Sequence, residues 1–246
     1  MPLDDALLKD FITTFQGYGD YRAKYWLVGM EEGGGGSHDE VERRLRKWDL
    51  GGRPELLDLR AHHIGGDLSA FMSGTEKLQP TWSQLIRIVL GSEGRPSDNE
   101  AVRAYQQFRL GRPGGETCLL ELMPLPSPNA VIWNYAQWSS IPDLKTRSRY
   151  TEQYRPSRIR TLWHKIREHR PPVVVFYSLT NLPQWKQAAG VNLVETSIEG
   201  VKSFSGHNEH TQFLVISQPA HRVKGKGNDY YIQVGREISG ALSARG

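Results

Sequence analysis

The sequence predicts an α/β protein: a three-layer α/β/α fold with a central, mostly parallel four-stranded sheet, in one domain spanning residues 1–246. Three observations predict it. Apolar runs at 25–28, 117–123, 173–177 and 211–217 are separated by stretches with helical periodicity. The run at 173–177 is continuous and β-branched, as expected of a strand covered on both faces. Three of the four runs end in residues rich in Gly, Pro and polar side chains, and sheets of this class hold their ligands outside those carboxyl ends.

The opening helix rests on Leu7, Leu8, Phe11, Ile12 and Phe15 at helical spacing. The first strand stops at Gly29 and gives way to Met30, Glu31, Glu32 and four glycines, among which Gly33 and Gly34 would let a ligand approach the backbone. Ser37 can cap a helix carrying Val41, Leu45 and Trp48 on one face. Periodicity fades across 51–80, so a long irregular connection is expected there, with the His62–His63 pair, Phe71 and Met72. Thr81 with Gln84, and Ser97 with Glu100, read as capping boxes opening two helices. After the strand at 117–123 comes the turn-rich PLPSPN. Residues 145–160 hold Lys145, Arg147, Arg149, Arg155, Arg158 and Arg160 against Glu152, with Tyr150 and Tyr154 interleaved. The helix there keeps Ile159, Leu162, Trp163 and Ile166 on one face, which predicts that the basic residues point outward. A weaker β-like region covers 191–205, and the last strand ends in QPAHRVKGKG.

Composition narrows the function classes. The chain has 246 residues, 38% of them hydrophobic, and a formal net charge of +4. No apolar run approaches the roughly 18 residues of a membrane span, so no membrane partner is expected. The amino terminus carries acids where a signal peptide has basic residues, which predicts a cytoplasmic protein. The single cysteine, Cys118, excludes an internal disulfide and a cysteine-ligated cluster or zinc site.

Three chemistries compete for the strand ends. A phosphate cradle lacks support, because 29–36 contains neither GxxxxGK nor GxGxxG and Glu31 and Glu32 would repel phosphate. A metal site draws on His207 and His210, or on Glu31, Glu32, His38 and Asp39, but the two histidines read as solvated loop residues. No metal or cofactor is therefore expected. The third chemistry is a carboxylate that activates water for attack on a glycosidic carbon. It must orient the water, take its proton and stabilise an oxocarbenium-like transition state, and Glu31 is placed for it.

At these strand ends the chain resembles the uracil-DNA glycosylase superfamily, most closely its single-strand-selective monofunctional branch. Gly29-Met30-Glu31-Glu32-Gly33 looks like that branch's Gly-Met-Asn-Pro-Gly motif. Glu121-Leu122-Met123-Pro124-Leu125 is similar to the motif whose Asn reads the base, and Gln218-Pro219-Ala220-His221-Arg222 resembles its final His-Pro-Ser-Pro-Arg. The resemblance implies a monomeric, monofunctional DNA glycosylase acting on single- or double-stranded DNA. It implies catalytic roles for Glu31, Gln218 and His221, and a base pocket from Gly29, Met30, Phe71, Glu121 and Pro124. DNA contacts would come from Gly33, Gly34, Arg222, Lys224 and Lys226, with a second surface at Arg149 and Arg155.

The departures fall on specificity. An ionised Glu121 only accepts hydrogen bonds, and so would pair with the amino group of cytosine. The expected base is therefore a modified cytosine, and the expected role defence against phage DNA. A neutral Glu121 would mimic Asn and keep uracil as the alternative. Gln218 stands at the family's catalytic His, and either it or His221 would help the leaving base. A catalytically weak DNA-binding module of this fold, and a Mg²⁺-dependent hydrolase using Glu31, Glu32 and Asp39, are the rival classes.

Overall fold

The computed structural model describes residues 2–66, 68–73, 77–129, 131–219 and 226–244. In chain order the elements are α1 (Asp5–Thr14), β1 (Gly17–Tyr18), β2 (Tyr25–Glu31), α2 (His38–Leu50), β3 (Leu56–Leu57) and α3 (Leu59–His63). Next come α4 (Ser69–Met72), α5 (Pro80–Ser92), α6 (Asn99–Phe108), β4 (Thr117–Met123) and α7 (Tyr135–Trp138). The chain continues with α8 (Arg147–His169), β5 (Val173–Tyr177), α9 (Leu182–Ala189), β6 (Val194–Ile198), β7 (Val201–His207), β8 (Gln212–Ile216) and α10 (Asn228–Ser243).

The α/β class is as expected, but the sheet has eight strands rather than four, in the order β3-β1-β4-β2-β5-β8-β7-β6. The four expected strands form its parallel centre, β4-β2-β5-β8. One margin adds β1, antiparallel to β4, and then β3. The other adds β7 and β6, an antiparallel hairpin whose two-residue turn places Glu199 (φ 51°) and Gly200 (φ 73°) in the left-handed region.

Alternation along the central strands feeds two apolar layers. Tyr25 and Leu27 of β2, Leu119 and Met123 of β4, Val173, Val175 and Tyr177 of β5, and Leu214 and Ile216 of β8 face α1, α2, α5 and α10. Trp26, Val28, Cys118, Leu120, Val174, Phe176, Phe213 and Val215 face α9 and the later turns of α8. Cys118 is fully buried at the middle of the sheet. Helix α8 crosses the sheet's carboxyl end: Tyr150 near its start joins the first layer, while Ile159, Leu162 and Ile166 join the second.

Local signals placed the helices well and their caps less well. Ser37 Oγ accepts from Glu40 N at 3.3 Å, as expected. Helix α5 is instead capped by Gln79, which accepts from Trp82 N at 2.6 Å ahead of Pro80, and α6 by Asp98. A proline in the first turn suits α5, because its missing N–H would have no partner there. The stretch 51–80 is less irregular than expected, since it contains β3, α3 and α4. Among the described residues no helix is long and apolar enough to cross a membrane.

Candidate active site

Strand β2 runs three residues beyond the expected stop at Val28. Gly29 pairs with Glu121 and Glu31 with Met123, so Glu31 is the last ladder residue rather than part of a loop. Alternation then sets Gly29, Glu31, Glu121 and Tyr177 on one sheet face, at the carboxyl ends of three adjacent parallel strands.

Gly29 is the gap in this row. A Cβ there would lie 2.3 Å from the Tyr177 hydroxyl and 2.6 Å from Glu121 Oε2. Through that gap Tyr177 Oη donates to Glu121 Oε1 at 3.2 Å. Glu121 Oε2 is buried and has no hydrogen-bond partner. Burial, together with the nearby charges of Glu32 and Glu31, pushes the Glu121 carboxyl well above the usual range against the opposing Tyr177 bond, which favours its neutral form.

Glu31 is held by Arg147, the first residue of α8, whose Nη1 donates to both carboxylate oxygens at 2.7 and 2.6 Å. Arg147 Nη2 binds Ser127 Oγ and the carbonyls of Asn129 (2.8 Å) and Ile132 (2.9 Å), and the guanidinium lies 5.0 Å from the Trp133 ring centroid. Burial raises the Glu31 carboxyl above its ordinary value, and Arg147 partly offsets that. The result is a fixed carboxylate more basic than an exposed one.

Glu32 points into a different set. Tyr18 Oη donates to its Oε2 at 2.8 Å, while Arg44 Nη1 and His63 Nε2 each approach an oxygen at 3.0 Å. Neither of the latter two approaches meets hydrogen-bond geometry. Burial disfavours the Glu32 charge, but Arg44 and His63 outweigh it and hold the carboxyl well below the usual range. Arg44 also binds Glu40 at 2.7 Å. Next to them His62 is pushed down to about 3, chiefly by burial and then by His63, so it is neutral at physiological pH.

These arrangements correct several expectations. Gly34 does not open toward a ligand: a Cβ on it would strike Arg44 Nη2 at 2.5 Å. Gly33 has open space around it. The basic residues of α8 do not all face outward, since Arg147 binds Glu31 and buried Arg158 donates to the carbonyls of Leu122 (3.0 Å) and Glu121 (2.9 Å). Of the two interleaved tyrosines, Tyr150 is fully buried. Arg149 is exposed and Arg155 half-buried. The expected metal set is dispersed, with Glu31 paired to Arg147 and Glu32 to Arg44. Asp39 instead lies with His38 and Glu42, their ligand atoms within 4.8 Å of one another, while Glu42 is paired with Arg46 at 2.7 Å. His207 and His210 are exposed.

Of the remaining expected site residues, Met30 is half-buried between the two layers and Pro124 is buried beyond β4. Phe71 is half-buried, edge-on to Trp82 at 6.3 Å. Gln218 is half-buried two residues past β8, and Lys226 lies 4.0 Å from Glu199. His221, Arg222 and Lys224 lie outside the described residues. The sequence reading did not select Tyr18, Arg44, His63 or Tyr177 for the site. The position of Tyr177 at a strand end and the adjacent His62–His63 pair were the signals that could have flagged two of them.

No protein-family model matches the chain, and neither does any curated protein.

Proposed function

We propose that the chain is a monofunctional DNA glycosylase with a fold of the uracil-DNA glycosylase kind, hydrolysing the bond between a flipped-out base and its sugar. The observation that carries this reading is the row Gly29–Glu31–Glu121. It joins a fixed carboxylate of raised basicity to a second carboxyl, Glu121, whose neutral form burial favours and whose partnerless oxygen lies beside Gly29. Glu31 would take the proton of the attacking water and stabilise positive charge on the sugar, while the bonding electrons leave with the base. Gln218 offers a neutral donor to that departing base.

The state of Glu121 bears on which base is read. In the neutral form, with Tyr177 donating to Oε1, the carboxyl carries its proton on Oε2, which then donates. A donor there complements a carbonyl oxygen and not an amino group. This favours a uracil-type base over the cytosine derivative that an ionised Glu121 would select, and with it repair over phage defence. Exposed Arg149, half-buried Arg155 and Lys226 would meet phosphates and make binding salt-dependent.

The test is mass spectrometry of free bases released from synthetic strands carrying uracil, cytosine or modified cytosines. Uracil-type release is expected, and Glu31→Gln should keep DNA binding while lowering turnover about a hundredfold or more. Release of cytosine derivatives alone would overturn the assignment of Glu121 as a donor. Binding without release of any base would identify a DNA-binding module instead.

A further inference from the structure

At the opposite end of the sheet, the starts of β2 and β4 and the end of α6 frame a cleft of about 430 Å³. Its walls carry Arg22, Lys24, Arg109 and Arg112 against one acid, Glu116. At its rim Phe108, the last residue of α6, is 60% exposed, and the Arg60 guanidinium sits 5.1 Å from its ring centroid. None of these side chains takes part in the chemistry proposed at the carboxyl ends of the strands.

The cations are paired with carboxylates around the cleft, Lys24 with Glu93 at 2.7 Å among them. Glu116 is bound by Arg95 at 2.8 Å, leaving Arg109, whose side chain is 61% exposed, a 3.6 Å contact with it. Arg22 pairs with Asp20 at 3.0 Å and is 84% exposed, and Arg112 pairs with Asp58 at 3.1 Å. Arg109, mostly exposed and only 3.6 Å from its carboxylate, is the cation freest to turn to a phosphate, which a guanidinium binds through two parallel hydrogen bonds. Gly114 (φ 68°) leaves open space where a side chain would stand, so the cleft floor is accessible.

We infer that this cleft binds one nucleotide unit of a single nucleic-acid strand, with its phosphate among Arg22, Arg109 and Arg112 and its base stacked on Phe108. Aromatic faces beside guanidinium groups are how sequence-tolerant single-strand sites are built. This goes beyond the glycosylase reading: the strands separate the two places, so the cleft would be a second foothold on the polymer. An acidic peptide would satisfy the same cations but would gain nothing from an aromatic platform, so Phe108 is the discriminating residue.

The experiment is photo-crosslinking of the full chain to an oligonucleotide of about 12 nucleotides carrying 5-iodouracil, with crosslinks mapped by mass spectrometry and affinity read by fluorescence anisotropy. A crosslink at Phe108 is expected. Phe108→Ala should remove it and weaken binding about 5- to 100-fold. The double variant Arg109→Glu with Arg112→Glu should weaken binding by about tenfold or more and flatten its salt dependence. Unchanged affinity in Phe108→Ala would overturn the inference, as would crosslinks confined to the carboxyl-end loops or equal competition by polyglutamate. Because the readout is binding and not base release, its failure leaves the glycosylase reading standing, and the reverse also holds.

Discussion

Gly29 fixes the spacing of the candidate site at the level of single atoms. Gly29→Ala should break the Tyr177–Glu121 hydrogen bond and overpack the site, lowering stability by about 1–3 kcal/mol in urea titrations. Unchanged stability would mean that the row relaxes freely. At this scale the sequence was half legible. Glu31 and Glu121 stand out because acids interrupt apolar runs near turns, a pattern visible within ten residues. Their partners do not stand out. Arg147 is 116 residues from Glu31 and Tyr177 is 56 from Glu121, and no periodicity spans such separations. The ionisation of Glu121 was equally hidden, since it depends on burial and on neighbouring acids that only the folded sheet assembles.

Among the elements, α3 and the middle of α2 form a titratable unit around Glu32. His62 has an ordinary value of 6.5 and a folded value near 3, so the unfolded chain takes up its proton first as pH falls. The stability His62 contributes is therefore complete above about 6.5 and is lost progressively as pH drops toward 3. Between pH 7 and 5 that loss is about 2 kcal/mol, readable as a falling urea midpoint. Glu32, held below its usual range, adds a further loss of the same sign below its ordinary value of 4.5. A His62→Phe variant with an unaltered slope between pH 7 and 5 would remove this residue from the account. The sequence marked the His62–His63 pair but treated its surroundings as irregular. One-turn helices such as α3 and α4 are too short for an apolar stripe to register. The central strands and longer helices were legible because periods of two and 3.6 persist across them.

Across the whole molecule, the parallel centre of the sheet was readable, the β6–β7 margin registered only as a weaker β-like region at 191–205, and the β1–β3 margin did not register. Strands β1 and β3 have two residues each, and β6 is almost wholly exposed, so neither carries the apolar run that betrays a covered strand. The candidate chemistry and the basic cleft consequently sit at opposite ends of the part that sequence patterning describes best. That same centre contains Cys118, fully buried between β1 and β2 on β4. The thiol is thereby a built-in clock for the opening of the sheet. In the native protein a thiol reagent should label it only as fast as the central strands come apart, orders of magnitude more slowly than in the denatured chain. A ligand bound at either end that holds the strands together should slow the labelling by the same factor by which it stabilises the fold. Rapid labelling of the native protein would show instead that β4 opens on its own, without global unfolding. The protein's single sulfhydryl can therefore report, without any introduced probe, whether an occupant of one end is felt at the centre.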